Sequence, residues 1–343
     1  MHFLAALLAL VPLLAFGQPP IEYYNAAEGL SGEPLRSALS DIISPHTILD
    51  NNVLWQAYEI TDARPNGTVW DMYSDNPGGT SAYVYQFVLD QCTAALPMEG
   101  DCFNREHTFP QSWYNDAAPM STDLFNVYPT DSWVNQQRGN LPYGTVGSTN
   151  WTSTNGSKRG SCDWPGCSGT VFEPIDAYKG DLARSYFYML TRYLPLLDNW
   201  TSPMMSGGEF LPWAEEMLLA WSTLDPVSAK EIERNNSVFA LQGNRNPYID
   251  RPEWIPAVWG PYASVVDRFA STDKVWLFDG VIHAEWNTPG SPAIMQVLDA
   301  GGRLVHVALP VGPKAQVQVD LSPGLYIVHM IYPDHTSVHR VVR

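Results

Sequence analysis

Apolar and polar residues follow two different patterns along this chain. Over residues 20–265 apolar side chains recur at helical spacing, interrupted by Pro, Gly and Asn, which predicts a series of short helices. The clearest helix is predicted over residues 182–197, with Asp181 as its candidate N-cap. Residues 217–221 are assigned to a second helix. Both helices are predicted to belong to the protein core.

The pattern changes after Phe269 into short apolar runs separated by Gly- and Pro-containing turns, such as Ser322-Pro323-Gly324. Runs at this spacing predict a small all-β domain, an Ig-like sandwich. We place the domain boundary within residues 264–272. The predicted strands are 274–279, 293–298, 304–309, 315–321, 325–331 and 337–342.

The first residues of the chain predict a targeting segment. Residues 3–16 are almost wholly apolar, and Gly17-Gln18-Pro19-Pro20 interrupts the run. A helix that spans a bilayer needs about 20 residues, so this run is too short, whereas its length and the small residues near Gly17 are typical of a cleaved signal peptide. We therefore expect a signal peptide at 1–17 and an exported mature chain, with a buried N-terminal helix as the alternative. No later run is long enough to span a membrane.

Four cysteines follow, at Cys92, Cys102, Cys162 and Cys167. An exported chain meets an oxidising compartment, so an even number of cysteines predicts disulfides. The local pairs Cys92–Cys102 and Cys162–Cys167 are the simplest of the three connectivities. A zinc site would need shorter thiol spacings or nearby histidines, and these cysteines have neither.

The overall charge is strongly negative. The formal net charge is -17, the pI is about 4.7, and the 45% hydrophobic residues and 13 Trp indicate a folded protein. This charge has the wrong sign for a protein that coats nucleic acid through a broad basic surface. Lys and Arg nevertheless concentrate between Arg105 and Arg192, which allows a basic groove on an acidic body. A function on nucleic acid would have to depend on local chemistry.

The candidate chemistry lies in two polar blocks, residues 101–113 and 123–140. On an extended segment, Glu106 and His107 would point to opposite sides. The carboxylate could then bind a metal while the imidazole faces a water. Oxygen ligands suit a hard cation such as Mg²⁺, and a neutral imidazole is a suitable base near neutral pH. Adjacent Glu and His also occur by chance, so the pair alone does not identify a site.

The segment Asn104-Arg105-Glu106-His107 is followed by Pro110 and Ser112-Trp113. This segment resembles the active-site motif of the endonuclease I family, which belongs to the His-Me finger (ββα-metal) nucleases. The resemblance covers nearly all of residues 30–260. The further matching blocks are residues 69–75, 99–103, 172–174, 179–184 and 242–250.

The resemblance implies an α+β fold. It implies a mostly helical nuclease domain around a ββα-metal core at residues 18–268, followed by the all-β domain at 269–343. It implies that Glu106 and Asn135 bind Mg²⁺, with Ca²⁺ or Mn²⁺ as alternatives, and that His107 activates water. Family members often carry His where this chain has Phe125-Asn126, so a role for side chains there is in doubt.

Three arginines are predicted to contact the substrate, namely Arg105, Arg138 and Arg245. For Arg138 and Arg245 a role in bracing the fold stays open.

The C-terminal end, with Ser322-Pro323-Gly324 and residues 339–343, resembles a type IX secretion sorting domain. That resemblance implies export by the type IX machinery to the medium or the cell surface. A carbohydrate- or protein-binding module is the alternative.

The sequence thus predicts a secreted, monomeric, metal-dependent endonuclease without sequence specificity. It would hydrolyse DNA, with RNA left open, to 5′-phosphate and 3′-hydroxyl ends. One alternative is a secreted protein that degrades or binds glycans, which the Trp and acidic residues and the β-rich tail would suit, but that function does not explain the order of the blocks. The other is a noncatalytic surface protein on a nuclease-like fold, against which the intact Glu106, His107 and Asn135 argue.

Overall fold

The computed structural model describes residues 19–94, 97–260, 274–278, 280–286, 294–299, 303–310, 314–332 and 336–343. The predicted signal peptide at 1–17 and the predicted domain boundary at 268–269 lie outside the described residues. The chain divides into two compact units, Met1–Gly260 and Pro261–Arg343.

The first unit mixes helices and strands, as predicted. Its α-helices are α1 (Gly32–Ile43), α2 (Leu54–Thr61), α3 (Ser132–Arg138), α4 (Lys179–Arg192), α5 (Pro212–Leu224), α6 (Ala229–Gln242), α7 (Pro247–Asp250) and α8 (Trp254–Trp259). Its strands are β1 (Phe103–His107), β2 (Val127–Asp131), β3 (Val146–Thr152), β4 (Lys158–Cys162), β5 (Thr170–Glu173), β6 (Met205–Ser206) and β7 (Glu209–Phe210). The strands pair as β1-β2, β3-β4-β5 and β6-β7. None of the helices in the described residues has the length and hydrophobicity needed to cross a membrane.

Helix α4 is the central core helix of this unit, with every residue from 180 to 191 buried. This confirms the predicted core helix, but the helix begins at Lys179, so Asp181 lies in its first turn and is not the N-cap. The Asp181 carboxylate instead lies 3.7 Å from Arg184 and 3.5 Å from Lys230. The helix also ends earlier than predicted, at Arg192, because the ring of Pro195 clashes with a continuing helix and supplies no N–H. Residues 194–199 continue as a 3-10 helix.

Strands β1 and β2 are antiparallel, with Glu106 opposite Tyr128. Helix α3 follows β2 directly, because Asp131 ends the strand and its side chain accepts a hydrogen bond of 2.8 Å from the backbone nitrogen of Val134. The unit β1-β2-α3 therefore carries Glu106, His107 and Asn135 on two adjacent elements.

Both predicted disulfides are confirmed. Cys92–Cys102 ties the residue before β1 to the preceding loop, and Cys162–Cys167 closes the turn after β4. Every cysteine of the chain is paired, so the disulfides brace loops and leave no thiolate to bind a metal.

The second unit is all-β, as predicted. It contains β8 (Lys274–Phe278), β9 (Val281–Glu285), β10 (Ile294–Asp299), β11 (Leu304–Ala308), β12 (Lys314–Gln318), β13 (Leu325–Ile331) and β14 (Thr336–Val342). They form the sheets β11-β10-β13-β14 and β12-β9-β8, whose buried side chains join one apolar cluster. Each predicted strand overlaps an observed one. Strand β9 was not predicted, because its only large aliphatic residues are Val281 and Ile282 and the small Ala284 suffices at the buried centre of its sheet.

Candidate active site

Glu106 is a buried carboxylate on β1 of the β1-β2-α3 unit, with 1% of its surface exposed. Its Oε1 accepts hydrogen bonds of 2.7 Å from Arg138 Nη1 and 2.8 Å from the Tyr73 hydroxyl, and the Tyr143 hydroxyl lies at 3.3 Å. Burial raises the pKa of Glu106, and the Arg138 charge and the tyrosine hydrogen bonds oppose that rise. No hydrogen bond from a described residue reaches Oε2. The carboxylate is therefore fixed through one oxygen and offers the other to a ligand.

Asn135, on α3, faces the same side of β1 as Glu106. Its Nδ2 donates to Asn104 Oδ1 at 2.8 Å and to the backbone oxygen of Arg105 at 3.1 Å. Asn104 and Glu106 are two residues apart on the strand, so their side chains share one face. Because the amide nitrogen is held by two acceptors, the amide oxygen Oδ1 is the atom of Asn135 that is left for a ligand.

His107 points to the opposite face of β1, as the alternation along a strand requires. Its Nε2 lies 3.0 Å from the backbone oxygen of Ser121, a group that can only accept, so Nε2 donates and Nδ1 carries the lone pair of the neutral ring. Burial lowers the pKa of His107 to about 4, against the opposing effect of the Ser121 hydrogen bond. The imidazole is therefore neutral at neutral pH and presents an unprotonated nitrogen.

The loop between β1 and β2 presents the Ser121 carbonyl and is anchored by a buried carboxylate. Asp123 Oδ2 accepts hydrogen bonds from the hydroxyls of Tyr188 at 2.8 Å and Tyr193 at 2.7 Å. Gln242 donates to Asp123 Oδ1 at 3.2 Å and accepts from the backbone nitrogen of residue 124. These contacts fix the position of the carbonyl that selects the His107 tautomer.

Phe125 and Asn126, the positions that depart from the family pattern, belong to the core of this loop. Phe125 is fully buried, with its ring centroid 4.8 Å from that of Tyr188. Asn126 Oδ1 accepts from the backbone nitrogen of Phe109 at 2.8 Å, and its Nδ2 donates to the backbone oxygen of Met120. Their placement gives both residues a structural role.

Two of the three arginines predicted to bind substrate are buried. Arg138 Nη1 donates to Glu106 Oε1 and to the His107 backbone oxygen, both at 2.7 Å, and its Nη2 donates to a further backbone oxygen. Arg245 forms two contacts of 2.6 Å with Asp250. Because protein acceptors surround both guanidinium groups, they brace the fold, and neither is placed to meet a phosphate.

Arg105 is the predicted substrate-binding arginine that reaches solvent. Strand alternation places it on the His107 face of β1. Its Nη1 donates to the backbone oxygen of Asn51 at 2.9 Å, and its guanidinium carbon lies 5.1 Å from the Trp55 ring centroid. Among the described residues it has no carboxylate partner, so its charge stays available beside His107.

The protein oxygens at this site suit a hard cation that keeps much of its water. Glu106 Oε2 and Asn135 Oδ1 are the two available ligands, and the described residues hold no group of three or more His, Cys, Asp or Glu able to bind a metal. Mg²⁺ is commonly held by one or two protein carboxylates with waters completing the shell, whereas structural zinc needs four protein ligands. The residues therefore fit Mg²⁺ and do not fit a closed protein cage.

Three residues that shape the site had no predicted role. Tyr73 and Tyr143 hold Glu106, and the Ser121 carbonyl orients His107. Tyr73 lies within residues 69–75, one of the blocks that resemble the family, and that match is the signal that points to it. Every residue type has a backbone carbonyl, so the sequence could not show that the Ser121 carbonyl orients His107.

A pair of buried carboxylates supports the start of α3. Asp131 caps the helix and accepts from the Tyr85 hydroxyl at 2.6 Å. Asp71 Oδ2 accepts from the backbone nitrogen of Asp131 at 2.9 Å, and Oδ1 accepts from that of Tyr73 at 2.8 Å. Burial, and then the charge of Asp131, raise the pKa of Asp71 to about 7.

This pair predicts a pH dependence of stability. The folded protein keeps Asp71 protonated to about pH 7, whereas the unfolded chain releases the proton near pH 4. The contribution of Asp71 to the free energy of unfolding is therefore fully present below about pH 4 and is lost as the pH rises through about 7. Asp71→Asn should reduce the loss of urea-unfolding free energy between about pH 5 and about pH 8. The exposed control Asp41→Asn should keep the wild-type slope, and an unchanged slope in Asp71→Asn would contradict the assignment.

Comparison with known proteins places the site inside a shared region. Residues 31–253 match the sequence profile of the Endonuclease I family. An extracellular ribonuclease of Bacillus amyloliquefaciens is 35% identical over 256 residues, 69% of this chain and 78% of the relative. An extracellular ribonuclease of Bacillus subtilis (strain 168) is 32% identical over 252 residues, 69% and 78% of the two chains. An extracellular deoxyribonuclease of Aeromonas hydrophila is 28% identical over 136 residues, 38% and 51% of the two chains.

Proposed function

The chain belongs to the Endonuclease I family and is an endonuclease, and on that premise we propose that it is secreted and uses a divalent cation and water to cut DNA and RNA without sequence preference. One observation carries the proposal. Glu106 and Asn135 offer oxygen atoms on one face of β1, and His107 offers an unprotonated ring nitrogen on the other. The arrangement separates a metal-binding side from a water-activating side.

His107 acts as the general base in the proposed mechanism. The Ser121 carbonyl holds the proton on Nε2, so Nδ1 takes a proton from the water that attacks phosphorus. A Mg²⁺ ion bound by Glu106 and Asn135 would supply Lewis-acid stabilisation of the charge on the phosphate and the departing 3′ oxygen. Arg105, on the His107 face, binds a phosphate of the same strand.

The proposed chemistry supports cleavage of both DNA and RNA. Attack by water makes no use of a 2′-hydroxyl, so a ribose is not required. Among the similar proteins, two that match over 69% of this chain are named ribonucleases, and others that match over 38% are named deoxyribonucleases. Both substrates should yield 5′-phosphate and 3′-hydroxyl ends.

A cleavage assay with two substrates tests this function. Supercoiled plasmid and a labelled RNA strand are incubated with the purified protein in Mg²⁺ or in EDTA. We expect nicking of the plasmid and cutting of the RNA in Mg²⁺ only, with 5′-phosphate ends by mass spectrometry. Cyclic 2′,3′-phosphate ends on the RNA would contradict attack by water. A glycan-binding or noncatalytic protein would cut neither substrate.

We further propose that the C-terminal unit serves export by the type IX route and takes no part in cleavage. No residue of the proposed site lies after residue 260. A protein truncated after residue 260 should therefore cut at the wild-type rate when purified from another host, yet remain in the periplasm of its own. Normal secretion of the truncated protein would refute the sorting role. A large fall in rate with the fold retained would show that the tail helps to hold substrate.

A further inference from the structure

Few cations of the first unit are free to meet a phosphate. Most of its Lys and Arg side chains pair with carboxylates. Within the described part of residues 19–260, Arg105, Lys158, Arg159 and Arg192 form no ion pair. Arg192 is engaged by His46, whose Nδ1 lies 2.8 Å from Nη2. In a chain with a net charge of -17, the direction in which each remaining cation points decides where a polyanion can bind.

Arg159 lies on the face of the β3-β4-β5 sheet that packs toward Glu106. It is opposite Phe172 of β5 in the antiparallel register, and opposite residues point to the same face. Phe172 is fully buried, with its ring centroid 5.2 Å from that of Tyr73. Tyr73 in turn donates to Glu106. Arg159 is therefore on the metal-binding side of the site, whereas Arg105 is on the His107 side.

The Arg159 guanidinium is oriented by neutral partners. Its Nη1 donates to Gln137 Oε1 at 2.8 Å, and its Nε donates to Asn150 Oδ1 at 3.0 Å. Gln137 is two residues from Asn135 on α3. Amide oxygens fix the plane of a guanidinium without neutralising its charge. Among the described residues no acceptor takes Nη2, so this edge keeps its donors.

We propose, resting on the nuclease function above, that Arg159 binds a backbone phosphate of the substrate on the Glu106 side, as the counterpart of Arg105 on the His107 side. The nucleic acid then crosses the β1-β2-α3 unit between cations from β1 and β4. A planar, pre-oriented guanidinium without a carboxylate partner suits phosphate recognition. Arg159 contributes to substrate affinity and has no part in the chemical step.

Binding without catalysis tests this inference, with Lys158→Gln as the matched control. The control removes the same charge from the neighbouring residue, whose side chain points to the opposite face of β4. Kd is measured in EDTA, over a series of salt concentrations, for a fluorescein-labelled DNA duplex and an RNA strand. Arg159→Gln should raise Kd about tenfold and lower the slope of log Kd against log salt by about 0.7–0.9. Lys158→Gln should change neither strongly.

Kinetics in Mg²⁺ separate phosphate binding from bracing. Arg159→Gln should raise KM and leave kcat unchanged. The KM of Arg159→Lys, which keeps the charge, should lie between those of Arg159→Gln and the wild type. Wild-type affinity of Arg159→Gln, or equal effects of Arg159→Gln and Lys158→Gln, would overturn the inference. A fall in kcat and melting temperature with an unchanged salt slope would do the same, because a residue that only braces Gln137 gives that result. If the wild type cuts neither nucleic acid, the proposed function itself fails.

Discussion

The His107→Ala protein is expected to cut plasmid DNA about 10²–10⁴-fold more slowly than the wild type, with its fold retained. His46 is the other histidine of the first unit among the described residues, and it is engaged by Arg192, so it offers no replacement imidazole. In this variant the Ser121 carbonyl loses the hydrogen bond that it accepts from His107, but the hydrogen bonds of Asp123 still anchor the loop between β1 and β2. Initial nicking rates at saturating Mg²⁺, with circular dichroism spectra of both proteins, measure the effect.

His46→Ala is the matched control, since it removes an imidazole elsewhere in the first unit. It should cut at close to the wild-type rate. Turnover by His107→Ala within a few-fold of the wild type would exclude His107 as the base. Equal losses in His107→Ala and His46→Ala would indicate a general structural effect.

Glu106→Gln should lower cleavage by more than about 100-fold at the Mg²⁺ concentration that saturates the wild type, beyond the roughly 10–100-fold that loss of an outer-shell partner costs. The substitution removes the charged oxygen ligand, so higher Mg²⁺ should restore part of the activity. It also leaves the buried Arg138 without its carboxylate, so the melting temperature should fall. Rates are measured over a Mg²⁺ series and compared with thermal unfolding.

Asn135→Ala separates the two consequences of that change. It removes the second proposed ligand but keeps the 2.7 Å pair between Arg138 and Glu106. It should therefore shift the Mg²⁺ requirement upward with a smaller loss of stability. An unchanged Mg²⁺ requirement in both variants would show that the ligands are assigned to the wrong residues.

The backbone of the site followed from local sequence. Glu106 and His107 are neighbours, so an extended segment suffices to place them on opposite faces, and β1 confirms that placement. Asn135 was identified only through the resemblance to the endonuclease I family, and the structure places it on α3, directly after β2. The roles of these three residues remain predictions that the experiments above test.

The parts that sequence did not predict depend on partners distant in the chain. Arg138 and Arg245 look alike as residue types, and only the tertiary contacts with Glu106 and Asp250 show that both are buried. The orientation of Arg159 depends on Gln137, 22 residues earlier on another element. The pattern of apolar positions carries no information on such pairings. A buried polar group needs a hydrogen-bond partner, and the spacing of apolar residues does not show where that partner lies.

In the proposed mechanism, one face of β1 binds the metal and the other activates water. This assignment is tested most directly by calorimetric titration of Mg²⁺ into the wild type, His107→Ala and Glu106→Gln, with cleavage measured on the same preparations. The account predicts that the wild type and His107→Ala bind Mg²⁺ with the same affinity, although His107→Ala cuts about 10²–10⁴-fold more slowly, and that Glu106→Gln binds Mg²⁺ much more weakly. Loss of Mg²⁺ binding in His107→Ala, or wild-type binding by Glu106→Gln, would contradict the account.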